Sequence, residues 1–254
     1  PAGIGVGVPG IIYMERGLVK DAPNLPGWHD LAVRDRLQEG LKYPVILEND
    51  ANAAALGENW LGRGREVEHL CLLTLGTGVG GGFVMNERIW HGFRGMAGEA
   101  GHINIYPDGV PCNCEGRGCL EQYASATAVI REGEEAARVG RSKRLKKDFE
   151  KSGKLTAKLV ADAAHQGDKT ALEIYRDMGR ALGIGLGTII NLLELPLCLL
   201  SGGMAAAWDL FAPAMFEQLE SGCYIYRTGG IRIEPAELDD DAGLFGAAYL
   251  PFQQ

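Results

Sequence analysis

The sequence lacks a surplus of positive charge: 25 Lys and Arg face 33 Asp and Glu in 254 residues, a formal charge of −8. A nucleic-acid or anionic-membrane surface needs a concentrated cationic face to displace counterions, so this balance argues against both partners. No charged-then-apolar leader opens the chain, and with no sign of export the expected location is the cytoplasm. Repeats and low-complexity linkers are missing too. One apolar run, Ala181 to Leu200, is long enough to span a bilayer, but it carries Asn191, Glu194 and Pro196 and reads as a buried helix followed by a buried strand. What is plentiful is glycine, 37 residues, about twice the usual share of roughly 7%. Glycines scattered among apolar runs point to backbone held close to something, phosphate or another backbone. With 46% hydrophobic and 23% charged residues, the chain has enough apolar material for a sizeable core. Its length suits one large domain or two lobes.

The coarse order is of α/β type. Ile4, Val6 and Val8 alternate with Gly3, Gly5 and Gly7 in an opening strand that starts without Met, so residues upstream are expected. The spacing of Leu31, Leu37 and Leu41 predicts a helix, Val45-Ile46-Leu47 a short strand, and Ala51 to Trp60 a strong helix former. Strands are expected at Leu70 to Leu75, Phe83 to Met85 and Leu197 to Leu200, a loop region at Trp90 to Glu121, and helices from Ser125 to Glu194. Within these helices Arg141 to Lys151 reads as a solvated charged face. Gly179, Gly183 and Gly187 share one helical face, as close helix packing requires.

Three features carry chemistry. Gly76-Thr77-Gly78-Val79-Gly80-Gly81-Gly82 joins two strands, and successive N–H groups in glycine turns form an anion-binding concavity. No Lys-Ser/Thr follows, which excludes a Walker loop, and no helix follows, which excludes a dinucleotide fingerprint. The competing reading is a hairpin turn, for which seven residues with five glycines is long. Asn49-Asp50 stands where a strand hands over to a helix, the usual ligand position in α/β sheets. Asp50 is either the cap of the Ala51 helix or a carboxylate placed to take a proton from a hydroxyl. Finally, from His102 the thiols of Cys112, Cys114 and Cys119 lie at +10, +12 and +17, one imidazole and three thiolates to close a tetrahedron around zinc. The alternative is three unrelated thiols. A closed four-ligand set leaves no open position, so the metal would be structural and would fix the loop carrying Glu99, His102 and Glu121. Those two carboxylates with Asn49 and Asp50 suit the hydroxyls of a polyol, and with a phosphate loop they point to a sugar kinase.

These stretches resemble the ROK family of sugar kinases and repressors, most closely its bacterial glucokinases: ENDANAAALGE (Glu48 to Glu58), LGTGVGGG (Leu75 to Gly82), AGEAGH (Ala97 to His102), the cysteine knuckle through CLEQYAS (Cys119 to Ser125), SGGM (Ser201 to Met204) and DDAGLFGAA (Asp240 to Ala248). The resemblance implies an α/β fold of the actin-like, hexokinase type (ribonuclease H-like), in two lobes with the active site in the cleft. The small lobe would comprise residues 1–49 with 240–254 and the large lobe residues 50–239. It implies Asp50 as catalytic base, with Gly10, Asn49, Asp50, Glu99, His102 and Glu121 around the sugar. It also implies Gly76, Thr77, Gly78 and Gly80 at the phosphates of ATP accompanied by Mg²⁺, Gly202 and Gly203 by the adenosine, and zinc on His102, Cys112, Cys114 and Cys119. A homodimer or homotetramer is suggested. The family knuckle has Gly after its second Cys where this chain has Glu115 followed by Gly116, which predicts a shifted turn. The family's Asp-x-Gly-Gly-Thr hairpin, which precedes the segment matching Gly3 to Gly10 in relatives, has no counterpart among these residues, so they alone should bind ATP poorly. Glucose is the expected substrate, with N-acetylmannosamine, N-acetylglucosamine or fructose as alternatives. A sugar-responsive repressor with an upstream DNA-binding helix-turn-helix is the rival from another class, disfavoured because Asp50 and the phosphate glycines are intact.

Overall fold

A computed structural model describes residues 2–22 and 25–253; residues 1 and 254, the outer ends of the expected small lobe, lie outside them. Alternating Val/Ile and Gly place β1 (Ile4–Val8) in an extended run. The meander of β2 (Ile11–Tyr13), β3 (Leu18–Asp21) and β4 (His29–Leu31) follows, and leads into α1 (Val33–Leu41). Leu31 therefore closes β4 opposite Val19 rather than opening the helix that its spacing predicted. The chain returns as β5 (Val45–Asn49), parallel to β1 with Val8 opposite Asn49. Val8, Ile12, Val19, Val33, Val45 and Leu47 bury a small core under this half.

The helix α2 (Asp50–Trp60) leads to β6 (Leu70–Leu75), β7 (Val79–Met85) and β8 (Arg88–Ile89). Beyond the cysteine-bearing loop come α3 (Glu121–Ala124), α4 (Ala126–Arg138), α5 (Lys143–Ser152), α6 (Ala157–His165) and α7 (Lys169–Leu193). Then follow β9 (Leu197–Ser201), α8 (Trp208–Gly222), β10 (Arg232–Pro235) and α9 (Ala242–Tyr249). The larger sheet runs β10-β9-β6-β7-β8, parallel from β10 to β6 and antiparallel from β6 to β8. Alternate residues of β6 and β9 reach opposite cores: Cys71, Leu73, Leu75, Cys198 and Leu200 join the helical core, while Leu70, Leu72, Leu197 and Leu199 join Ala54 and Ala55 of α2 and Ala242 of α9. Burial on both faces is why these strands read as unbroken apolar runs.

The predicted close packing of α7 is present. A Cβ on Gly179 would press on the carbonyl of Phe211 in α8, and one on Gly183 would stand 2.7 Å from that of Met215. The charged run of α5 buries Leu145 and turns Arg144 outward to Asp148 at 2.8 Å. No helix among the described residues is long and apolar enough to cross a membrane. Ala181 to Leu200 is divided between α7 and β9, as expected.

Candidate active site

One wall of the cleft is the junction of β5 and α2. Asn49, not Asp50, is the helix cap: its Oδ1 accepts from Ala51 N at 2.9 Å and Asn52 N at 3.2 Å. That division of labour removes the competition between capping and proton transfer, because Asp50 gives only Oδ1 to Ala51 N, at 2.9 Å. Asp50 opens the first turn of α2, where the helix dipole favours its charge. Enclosure by the cleft nevertheless prevails and pushes its pKa above the usual 3.8. The Asn49 amide also donates to Gly10 O at 3.4 Å. Gly10, Asn49, Asp50, Gly80, Gly81 and Glu99 line a single cleft.

The glycine loop is shorter than the sequence suggested. Leu75 pairs with Val79, so only Gly76-Thr77-Gly78 turns, and Gly80, Gly81 and Gly82 belong to β7 opposite Thr74, Leu73 and Leu72. A seven-residue cradle is thereby corrected to a tight hairpin. The strand glycines serve close approach: a Cβ on Gly82 would press on Ala51 O at the start of α2, and one on Gly81 would press on Gly98 O. β7 thus lies backbone to backbone against both the Asp50 helix and the residue before Glu99. The turn itself is fixed from α4, with Ala126 N donating to Gly76 O at 2.8 Å and the Thr127 hydroxyl to Thr77 O at 2.7 Å. Gly202 and Gly203 follow β9 directly, and the Gly202 backbone crosses that of Leu75. Both glycine segments therefore sit side by side at the carboxyl ends of parallel strands, where α/β sheets take ligands.

The other wall, Gly95 to Glu99, comes from irregular chain; His102 and Glu121 are not among the residues lining the cleft, and His102 adjoins it through Glu99. His102, Cys112, Cys114 and Cys119 offer ligand atoms all within 4.8 Å of one another. With Zn–S bonds of about 2.3 Å, the edges of a tetrahedral site are roughly 3.7 Å. The Cys114–Cys119 sulfurs are 3.6 Å apart, and Cys112 Sγ is 3.7 Å from His102 Nδ1. The donor set fits that ion. Burial raises the pKa of Cys112 and pushes that of Cys119 up to about 12, whereas the backbone N–H of Gly116 lowers that of Cys114. A bound dication would displace the thiol protons.

The ring of His102 faces two ways, Nδ1 to the thiols and Nε2 to Glu99 Oε2 at 3.9 Å. Glu121, first residue of α3, accepts from Cys112 Sγ at 3.3 Å, and the missing Cβ of Gly78 leaves room for it, since a Cβ there would stand 2.7 Å from Glu121 Oε2. Glu115 itself takes a left-handed φ of 68°, the conformation in which glycine is favoured.

Two residues of the cleft, Glu48 and Asn52, and one that reaches them from outside it, His91, escaped sequence reasoning. Glu48 is 2% exposed and bonds His91 Nε2 at 2.6 Å, and this pairing raises the His91 pKa. Asn52 is also 2% exposed, donates to Glu48 at 3.0 Å, and its Oδ1 has no partner among the described residues. Glu48 and Asn52 lay inside a quoted motif, and a carboxylate in an apolar strand was the available signal. His91 stands alone in its stretch and gave none.

The chain is similar to known proteins along its whole length. The model of the ROK family fits residues 1–254. A glucokinase of Halalkalibacterium halodurans is 42% identical over 253 residues, covering 99% of this chain and 76% of that protein. A xylose repressor of Caldicellulosiruptor bescii is 31% identical over 244 residues, covering 96% and 61%. Among solved structures, a ROK family glucokinase from Streptomyces griseus in complex with glucose and AMPPNP superposes with a TM-score of 0.82 at 31% identity, covering 99% of this chain and 82% of the other. The fold is the actin-like, hexokinase-type α/β fold of these relatives, and the chain belongs to the ROK family.

Proposed function

We propose that the chain, an ATP-dependent sugar kinase of the ROK family, phosphorylates glucose at the 6-hydroxyl with Asp50 as general base. The observation that supports this reading is the single cleft that Asp50 and Glu99 line together with Gly80 and Gly81. Asp50 keeps one carboxylate oxygen free of the helix cap and, deprotonated, accepts the hydroxyl proton as the sugar oxygen attacks the terminal phosphoryl group. Gly10, Asn49, Glu99, His102 and Glu121 orient the sugar. The Gly76–Gly78 turn with Gly80 receives the phosphates, and Gly202-Gly203 flanks the adenosine. Mg²⁺ accompanying the nucleotide would supply charge neutralisation, and most of the remaining rate enhancement in such chemistry is positioning and exclusion of water. Zinc on His102, Cys112, Cys114 and Cys119 would be structural, holding His102 Nε2 toward Glu99.

The lobes are assigned as 1–49 with 240–254 and 50–239, a boundary falling at the strand end that carries Asp50. Intact Asp50 and turn glycines support kinase over repressor. The test is a panel of glucose, N-acetylmannosamine, N-acetylglucosamine and fructose in an ADP-release assay with the Asp50→Asn variant in parallel. Glucose should be preferred, and Asp50→Asn should lose most of its kcat. Near-normal kcat in that variant would falsify the base assignment.

A further inference from the structure

We propose that His91 is a positioning residue for the sugar side of the cleft: its imidazole ties the segment 91–98, which leads into Glu99, to the end of β5 just before Asp50. The proposal takes its ligand from the kinase reading, while the tie itself is independent of it. Glu48 is a buried carboxylate with three donors. Two are local, Asn49 N at 2.8 Å and Asn52 Nδ2 at 3.0 Å. The third, His91 Nε2 at 2.6 Å, arrives from 43 residues along the chain. A buried carboxylate that loses such a donor bears a desolvation penalty, so the contact has a strong tendency to persist.

Fixing His91 fixes the whole segment, because Ala97 N donates to His91 O at 3.1 Å and joins its two ends. The segment forms no helix or strand, and Gly92, Gly95 and Gly98 have φ of 67°, 80° and 99°. Its course is set by anchor points instead of a repeating ladder. Gly95 rests on Met14, Gly98 on the Gly81 carbonyl, and His91 on Glu48. Of these the His91 contact is the charged one, and it stands two residues from Asp50's own backbone at Glu48. Other ionisable groups around the ring are Tyr13 at the end of β2, Glu15 and Arg16 just beyond it, Arg94 on the segment itself and Asp50 in the adjoining cleft; among the described residues none of them hydrogen-bonds the ring. The Glu48 contact retains the His91 proton above the ordinary 6.5, so the tie is charged below that raised pKa and weakens as pH rises through it.

The experiment compares His91→Ala and His91→Gln with the unaltered protein, first by hydrogen exchange without sugar and then by steady-state kinetics. Exchange in 91–98 should accelerate about tenfold in His91→Ala, while α7 stays protected. The KM for the sugar should rise about tenfold with kcat kept within about threefold, and His91→Gln, a neutral donor, should fall between. The sugar KM of the unaltered protein should climb on the alkaline side, and that climb should vanish in His91→Gln. Unchanged exchange in His91→Ala, or a loss confined to kcat, overturns the proposal. If Ala prevents folding, His91→Gln carries both readouts. Faster exchange in a protein that phosphorylates no hexose supports the tie and overturns the kinase reading instead.

Discussion

The two walls of the cleft are built by different means. Asn49 and Asp50 stand where a parallel strand passes into a helix, and their positions follow from the β1–β5 register, the Asn49 cap and the packing of α2 on β7. Glu99, His102 and Glu121 stand on or beside loop, and their placement follows from point contacts: His91 on Glu48, the Gly98 backbone on that of Gly81, and the four-donor cluster. Regular backbone brings its own hydrogen bonds, whereas irregular backbone must be tied. In the proposed mechanism the proton transfer falls to the wall that needs no ties, and Glu99, His102 and Glu121 on the tied side share the sugar with Gly10 and Asn49.

The sharpest way to break this comparison is at the first wall. Asp50→Asn should lower kcat by about 10²–10⁴ while sugar affinity stays within a few-fold, the range expected of a lost general base; kcat and an independent sugar titration check it. Next in size is the second wall's metal. Elemental analysis should find about one zinc per chain, and chelation should weaken sugar binding by about 10–100-fold without unfolding α7 or the β6–β9 pair, as circular dichroism and calorimetry would record. Equal damage at both walls would erase the distinction. A third effect is one of pH. Because enclosure raises the Asp50 pKa and the base acts when deprotonated, kcat/KM should fall with decreasing pH through a limb lying above 3.8; a limb at or below that value would contradict the enclosure. Smaller still, Asn49→Ala should cost about 1 kcal/mol of stability through loss of the cap, measured by denaturant unfolding without sugar. The least is expected from Glu115→Gly, which relieves a left-handed residue and should stabilise the knuckle by up to about 1 kcal/mol, offset in part by glycine's chain entropy.

How much was legible follows the same division. The strands β6 and β9 and the helix α2 were readable because burial on both faces, or alanine content, leaves a continuous local pattern. The His102–Cys112–Cys114–Cys119 set was readable because its chemistry resides in residue type and spacing. The glycine run was misjudged as a long cradle: nothing local distinguishes glycines that turn from glycines that let Ala51 and Gly98 approach a strand. Asp50 was the obvious cap by residue type, yet Asn49 takes that place because β5 ends at Asn49 and the helix begins one residue later. His91 was invisible because its partner is 43 residues away.

By itself the sequence determined the α/β order, the metal-type donor set and the acid at the end of β5, since each depends on residue identity and short-range periodicity. Only the tertiary structure decided which glycines make the turn and which let other backbone approach β7, which Asx residue caps α2, and that His91 reaches Glu48. These depend on distances between segments remote in the chain, which are set when the sheets and helices pack.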